Sequence, residues 1–584
     1  MRIYPVIGCV VLLFSSLTER SLAAYGEYPF TDTSLVLPGY LNERVTVMTD
    51  RHIYAVGEKI LFAGIDIIPS ELDTNCWSRV LYLELLTPGG KSVAQGKYPI
   101  NCSRASGYLG IPEDLLTGNY YLVTYTKWMR NFSPSFFHYR LVKIINPFSP
   151  HLETSNFSNG EGQTLEWERK PVKTSITCST DRASYNQRKK GSLTISITGS
   201  SRSFTDTYSV TVVRKGLNDT LRNLKVQPEM VQHQEHPGIM YLPETSGLSL
   251  SGSMVSLDSS TFIPEALVGL AILGRNPGYR VIRSGPGGSF CFALDSMHGQ
   301  RDLYITSNHD DRNFAIRIDN DFANPLVRFP EMPFMLSESE KELAKEIIFN
   351  MQVSINFQSN SKKTTGPPEE GEDTLNRAFY GLPSHTVFID DYIELPTLKE
   401  VLIELVPGVF PRTRNNEPYL IFTGNKLTFP LINQYSPLLM IDHVPVNNLE
   451  GLLLMSPKKI QRVEMLNEIY VIGNTTYGGI LNIITKKGDL GGIDLPEHSF
   501  FFDFTAFLPQ DKLVFPRYED QEFDPENPDY RNCLFWKPHI EVSPGQEIKL
   551  DFYTSDNSGA YRVLVRGVAP DGSILQGSCD FLVE

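Results

Sequence analysis

Two stretches of this chain, 131 residues apart, share the run Thr-Asp-Arg-x-x-Tyr. The first copy is Thr49, Asp50, Arg51 and Tyr54 in VTVMTDRHIYAVGEKILFAGIDI. The second is Thr180, Asp181, Arg182 and Tyr185 in TSITCSTDRASYNQRKKGSLTISI. The surroundings repeat as well. An alternating strand enters, a polar turn follows, and a second strand leaves, Lys59 to Ile65 in one copy and Ser192 to Ile197 in the other. A unit repeated at this spacing is the size of one β-sandwich plus a linker. The Tyr is expected in a sandwich core, with Asp and Arg ordering the turn through side-chain hydrogen bonds. A binding edge is the competing reading.

The pattern of short strands and turn signals extends along the chain. RVLYLELLTPGG runs into a Pro-Gly-Gly turn. LLTGNYYLVTYTKWMRNF turns at Gly118 and then alternates Tyr121, Val123 and Tyr125. Tyr125 and Trp128 read as core. LFWKPHIEV, EIKLDFYTSD and YRVLVRGVAPDGSIL are strands near the C-terminus. Helical signals are few. Ser337 and Glu340 fit a capping box that opens a helix over 337–353. Leu398, Val401, Leu402 and Leu405 form an apolar stripe ended by Pro407. The polar, Pro/Gly-rich stretch 358–376 reads as a flexible linker.

Several of these segments resemble known families. TDRHIYAVGEKILFAG and LTGNYYLVTYTKWMRN resemble the macroglobulin-like domains of the α2-macroglobulin superfamily. Gly252, Pro264, Ala266, Val268 and the Gly288-x-Phe290 turn resemble the carboxypeptidase regulatory-like sandwich, a module that carries no active site in that family. GNTTYGGILNIITKKG, residues 473–488, resembles the last strand of the plug of TonB-dependent outer-membrane receptors, and the likeness covers 390–490. Only 96 residues follow Gly488, too few for the roughly 22 strands of a large plugged barrel. PDYRN and FYTSD, nearer the C-terminus, resemble exported Bacteroidetes-type macroglobulin-like proteins with an inserted plug.

The implied fold is mainly β: tandem Ig-like or macroglobulin-like sandwiches with one inserted α/β plug-like domain. The expected division is a signal peptide at 1–24, sandwiches at 40–148, 170–243 and 244–326, a helix and linker at 327–389, the plug-like domain at 390–490 and a C-terminal sandwich at 499–584. The plug-like unit is expected to place Leu438–Ile441, Arg462–Met465 and Ile480–Thr485 centrally. Its face carrying Ile480, Asn482 and Ile484 is the more polar and is expected to be open. His443 stands where the receptors usually have Gly, so that turn is expected to differ.

The N-terminus places Arg2 before an apolar run, Val6 to Leu17, and then Ala23 and Ala24, the pattern of a secretory signal peptide. The apolar core lies after Cys9, which argues against lipidation there. No later segment is apolar enough for a helical span. Six cysteines are left: Cys76, Cys102, Cys178, Cys291, Cys533 and Cys579. An even number in an exported chain allows three disulfides, in any of fifteen connectivities. Neighbour pairing (76–102, 178–291, 533–579) is the favoured one, with free buried thiols as the alternative. A net charge of −14 argues against a general nucleic-acid binder, since phosphate binding needs a basic face.

No nucleophile elbow, phosphate loop or Gly-Cys-Gly-Glu-Gln thioester motif is present. His233, Glu235 and His236 lack the spacing of a helical zinc site. His309-Asp310-Asp311 and Asp319-Asn320-Asp321 lack the glycine and final Glu of a calcium loop and read as turns. The acidic run 519–530 reads as a solvated loop. No catalytic residue, cofactor or metal is expected. The expected role is protein–protein interaction or scaffolding with an envelope or outer-membrane partner, the oligomeric state being open. The alternatives are a non-thioester endopeptidase inhibitor and an accessory of TonB-dependent transport.

Overall fold

The computed structural model describes residues 43–584 except 69–76, 154–165, 168–171, 174–175, 199–206, 219–222, 226–239, 259–260, 275, 295–296, 308–313, 324–326, 328, 330–331, 359–377, 393–394, 426–427, 512, 520–526, 544 and 571. The signal-peptide reading, Cys76, His233, Glu235, His236, the His309 triplet and nearly all of the 358–376 linker lie outside the described residues. The fold is mainly β, in several sheets. No described helix is long and apolar enough to cross a membrane.

The first sandwich begins with Arg44–Thr49 antiparallel to Lys59–Ile67, which pairs in turn with Arg104–Gly110. The facing sheet runs Ser92–Pro99, Val80–Leu86, Gly118–Tyr125 and His138–Ile145. Val80–Leu86 and Gly118–Tyr125 are buried along their whole length, as strands covered on both faces are. Tyr82 stacks on Tyr125 at 5.5 Å and Tyr125 on Phe137 at 4.6 Å, and Trp128 is 1% exposed, so Tyr125 and Trp128 are core residues.

Segments 170–243 and 499–584 do not make two sandwiches. They make one. Thr207–Arg214 lies between Gly559–Val568 and Cys533–Glu541, and Lys190–Ile197 lies between Ile176–Thr180 and Glu547–Tyr553. The reason is burial. Thr207–Arg214 is apolar and covered almost throughout, so it needs ladder partners on both sides, and neighbouring sequence supplies none. Tyr185, Ile195 and Val210 share one core with Phe552, Val563 and Phe581. Everything between 214 and 533 is therefore an insertion into this sandwich.

Inside the insertion, Ser249–Ser256 pairs with Ser289–Ala293 and Phe314–Ile318, while a second sheet runs Gly278–Arg283, Leu267–Ile272, Gln300–Ser307 and Phe500–Thr505. The last strand comes from the segment expected to be C-terminal sandwich. A Cβ added at Gly252 would lie 2.3 Å from the Arg317 carbonyl and 2.5 Å from the Phe290 ring, so the residue must be Gly for Phe290 to seat. Leu250, Phe292 and Leu303 join Val80 and Leu122 in one continuous core, so this module and the first sandwich are fused.

The capping box holds. The Ser337 amide donates to Glu340 Oε2 at 2.9 Å, and the Glu340 amide to Ser337 Oγ at 3.3 Å, opening the helix Glu338–Gln358. Ala344, Ile347 and Met351 wedge this helix between Met48 and Ile53 of the first sandwich and Val213, Trp536 and Val568 of the second.

The α/β module of 390–490 has the sheet order His385–Phe388, Ile460–Ile472, Thr475–Thr485, Leu438–Ile441, Val444–Pro445. The helix Leu398–Glu404 buries Leu398, Val401 and Leu402 on one face, with Ile441, Val463 and Ile483. The other face is not open, as the sequence had implied. Ile480 and Asn482 are 1% and 0% exposed, because Tyr279, Val281 and Tyr304 of the neighbouring module cover that face.

Candidate interaction surface

The repeated motif builds the same turn twice. In the first copy Thr49 Oγ1 donates to the Arg51 carbonyl at 2.7 Å, Tyr54 Oη to Asp50 Oδ1 at 2.8 Å, and the Leu61 amide to Asp50 Oδ1 at 3.2 Å. In the second Thr180 Oγ1 donates to the Arg182 carbonyl at 2.8 Å, Tyr185 Oη to Asp181 Oδ1 at 2.6 Å, and the Ser192 amide to Asp181 Oδ1 at 2.7 Å. After each turn a short strand, Ile53–Ala55 or Ser184–Tyr185, pairs in parallel with the last strand of its sandwich. The motif is thus a structural device in both places.

What differs is the surroundings. In the first copy Asp50 and Arg51 are buried at the junction of the two sandwiches. Asn218 Nδ2 donates to the Thr49 and Asp50 carbonyls, Arg566 Nη2 donates to the Thr49 carbonyl at 2.6 Å, and Arg51 spans Asp50 and Glu58. In the second copy the side chains of Asp181 and Arg182 are 43% and 69% exposed. Burial accordingly raises the pKa of Asp50. For Asp181 burial is slight and acts upward, and hydrogen bonds from Tyr185 and Ser192 outweigh it and lower the value.

A second clamp closes the same junction. Glu340, the capping residue, accepts from Lys143 Nζ at 2.9 Å and lies 3.2 Å from His52 Nε2. The fused module is tied down by Lys97 on Asp321 at 2.5 Å, by Arg130 on the Asn320 and Asp321 carbonyls, and by Lys127 on Ser249. Asp319-Asn320-Asp321 therefore serves as a turn that receives cationic side chains, and no metal-holding cluster occurs among the described residues. Sequence reading missed both clamps, since their partners lie far apart along the chain.

On the α/β module, Asp442 and His443 both take left-handed backbone, φ 50° and 67°. The turn keeps the geometry usually given to Gly despite His443. Asn482 makes this possible, accepting from the His443 amide at 3.3 Å and meeting its Nδ1 at 3.0 Å. Asn482 also donates to Tyr380 Oη, which donates to Glu464. Burial is the chief reason the His443 pKa is lowered, so the ring is neutral at pH 7. The sheet ends at His385–Phe388, whose outer edge has no partner strand among the described residues, and Phe388 and Tyr392 beside it are 49% and 51% exposed.

No disulfide joins any of the five described cysteines in this structure. Of the neighbour pairs, 533–579 does not fit the topology, and 76–102 involves Cys76, outside the described residues. Between Cys533 on Cys533–Glu541 and Cys579 on Ile574–Val583 lie two strands, Thr207–Arg214 and Gly559–Val568. Three strand spacings are about 14 Å, twice the Cα separation a disulfide spans. Cys178 packs on the two-segment sandwich, and Cys291 lies on Ser289–Ala293 of the fused module. Cys102 is exposed.

These features define the class: a mainly β, multi-module protein whose sandwiches are interlocked by buried ionic clamps. No family model matches the chain, and no curated protein matches it. Among solved structures it is similar to Escherichia coli alpha-2-macroglobulin activated by porcine elastase, at 9% identity and TM-score 0.22, over 93% of this chain and 44% of that one. It is also similar to Salmonella alpha-2-macroglobulin reacted with methylamine, at 7% identity and TM-score 0.21, over 93% and 39%. The Escherichia coli adhesin FdeC matches at 10% identity and TM-score 0.14, over 48% and 64%. The chain spans less than half the length of these macroglobulins, and a TM-score of this size carries no statement about function.

Proposed function

We propose that this chain is an exported, non-enzymatic interaction protein of a cell envelope, and that its α/β module contacts an outer-membrane protein. The observation that carries the reading is the edge at His385–Phe388, which has no partner strand among the described residues. It presents main-chain donors and acceptors beside the exposed rings of Phe388 and Tyr392. An extended segment of a partner adds to such an edge by main-chain hydrogen bonds, and the rings supply apolar contact. Packing of Leu438, Met440 and Ile480 on Tyr279, Val281 and Tyr304 holds the α/β module in a fixed place, which lowers the ordering cost of binding. The resemblance of 390–490 to a receptor plug and the signal-peptide pattern of 1–24 support the envelope setting.

The test is a photo-crosslinking amino acid placed at Phe388 in whole cells, with Phe148 (67% exposed, in the first sandwich) as the control position. The expected product is a crosslink from 388 and not 148 to an outer-membrane protein. Recovery of the chain alone and free in the medium, or equal capture from both positions, overturns the reading.

A further inference from the structure

We infer that Cys178 and Cys579 are partners in a disulfide that staples the two sheets of the two-segment sandwich together at one edge. The described chain there meets the last strand near both of its ends. Val172–Lys173 pairs in parallel with Leu575 and Gln576, and Ser184–Tyr185 pairs in parallel with Leu582 and Val583. Between these two contacts, Ile176–Thr180 leaves the ladder to pair with Lys190–Ile197 in the facing sheet. It stays in close contact with the last strand, since a Cβ added at Gly577 would lie 2.5 Å from the Ile176 carbonyl and 2.7 Å from its side chain. Two residues on from Ile176 is Cys178, and two residues on from Gly577 is Cys579. Side chains two apart on a strand share a face, so the two thiols stand side by side.

Both cysteines pack on the same core, and both are half-buried, so a small oxidant can reach them. Their ladder partners, Ile195 for Cys178 and Val563 for Cys579, lie on the far sides of their strands. Cys533, the other described cysteine of this sandwich, lies three strands from Cys579 and does not compete. One thiol donates a hydrogen bond to the other. That bond favours the Cys579 thiolate and disfavours that of Cys178. With the bond in this direction, Cys579 is the thiolate that opens the exchange.

The chemistry needs a disulfide oxidant, oxidised glutathione or a dithiol–disulfide exchange catalyst. The Cys579 thiolate attacks one sulfur of that disulfide and expels a thiolate. Cys178, losing its proton, then attacks Cys579 Sγ and expels the second. Two electrons and two protons pass to the oxidant as two thiols. The bond would join residues some 400 apart in sequence, across the entire insertion, so it constrains the unfolded chain strongly.

In cells the staple rests on the export reading, because disulfides persist in oxidising compartments. Two arms separate the questions. The purified full chain is equilibrated at pH 8 with a reduced and oxidised glutathione mixture, acid-quenched, alkylated under denaturing conditions and mapped without reduction. The expected result is a linked Cys178–Cys579 peptide, lost in Cys178→Ser and in Cys579→Ser. Oxidised wild type is expected to melt several degrees above reduced wild type, and Cys178→Ser to show no such shift. Alkylation of both cysteines in the folded, oxidised wild type, or linkage of either to another cysteine, overturns the proposal. The same mapping on chain trapped from its own cells tests the compartment: a pair that links in glutathione and is reduced in cells confirms the staple and overturns export.

Discussion

The carboxylate of Glu340 meets the ammonium of Lys143 at 2.9 Å across 197 residues of chain, and the same carboxylate accepts the Ser337 amide that opens its own helix. One side chain thus ends a local signal and starts a long-range contact. Both partners are about nine-tenths buried as side chains. Glu340→Gln leaves a buried ammonium without its counter-charge, which costs about 3–5 kcal/mol. Urea unfolding measures it. Lys143→Met added to Glu340→Gln is expected to recover part of the loss, since the orphaned charge is then gone. A loss below about 1 kcal/mol for Glu340→Gln would show that the pair is idle.

The pH dependence of this clamp has a definite sign. Burial acts to raise the Glu340 pKa, but hydrogen bonds from His52, the Ser337 amide and Lys143 outweigh it and hold the carboxyl well below its ordinary 4.5. The folded state then binds the proton less tightly than the unfolded one. The stabilisation is full above about pH 4.5 and is lost as pH falls below it.

Glu43 has the opposite sign. It is buried where Thr126 donates to it and Asp66 and Glu244 lie near, and burial above all pushes its pKa from 4.5 up to about 7. Its contribution is full below pH 4.5 and is lost as pH rises to 7, by up to about 3 kcal/mol. Denaturant midpoints at pH 5 and pH 7.5 are expected to fall in wild type and to change less in Glu43→Gln. An unchanged slope in the variant would assign the effect to other groups.

The two copies of Thr-Asp-Arg-x-x-Tyr offer a matched pair. Asp50→Asn removes a charge from a fully buried site where Arg51 Nε lies 3.0 Å away, and is expected to cost about 2–4 kcal/mol. Asp181→Asn changes an exposed pair held at 3.7 Å and is expected to cost under about 1 kcal/mol. Equal losses in the two unfolding curves would mean that the turn itself, not the junction, sets the cost.

These residues also show what the sequence discloses and what it hides. The bonds within the motif join residues at most 11 apart, so the turn and its Tyr could be read from one stretch of chain. The capping box, the stripe Leu398–Val401–Leu402 and the strand Leu438–Ile441 were legible for the same reason. The junction was not. His52 and Glu340 are 288 residues apart, and Thr49 and Arg566 are 517 apart. Nothing local marks Thr207–Arg214 as the strand that draws 533–541 and 559–568 into its sheet, because a buried strand looks alike whichever partners it takes. The polar Asn482 suggested an open face for the α/β sheet. Its side chain is instead spent on His443 and Tyr380 beneath the covering module.

That covered face sets the last prediction. Ile483 is 0% exposed in the core formed with Leu398, Leu402 and Val463. Asp at this position places an unpaired charge there, and the module is expected to lose several kcal/mol of stability, on the order of 4. Its other face, through Leu438, Met440 and Ile480, packs on Tyr279, Val281 and Tyr304. When the module opens, that contact goes with it. Hydrogen exchange of Ile483→Asp should therefore show lost protection over 398–485 that spreads into Leu267–Ile272 and Gln300–Ser307. The two-segment sandwich has a separate core around Ile195, Val563 and Phe581, and its strands should stay protected. Loss confined to 398–485 would mean that the shared face contributes nothing. Equal loss in Gly559–Val568 would mean that the whole chain opens as one unit.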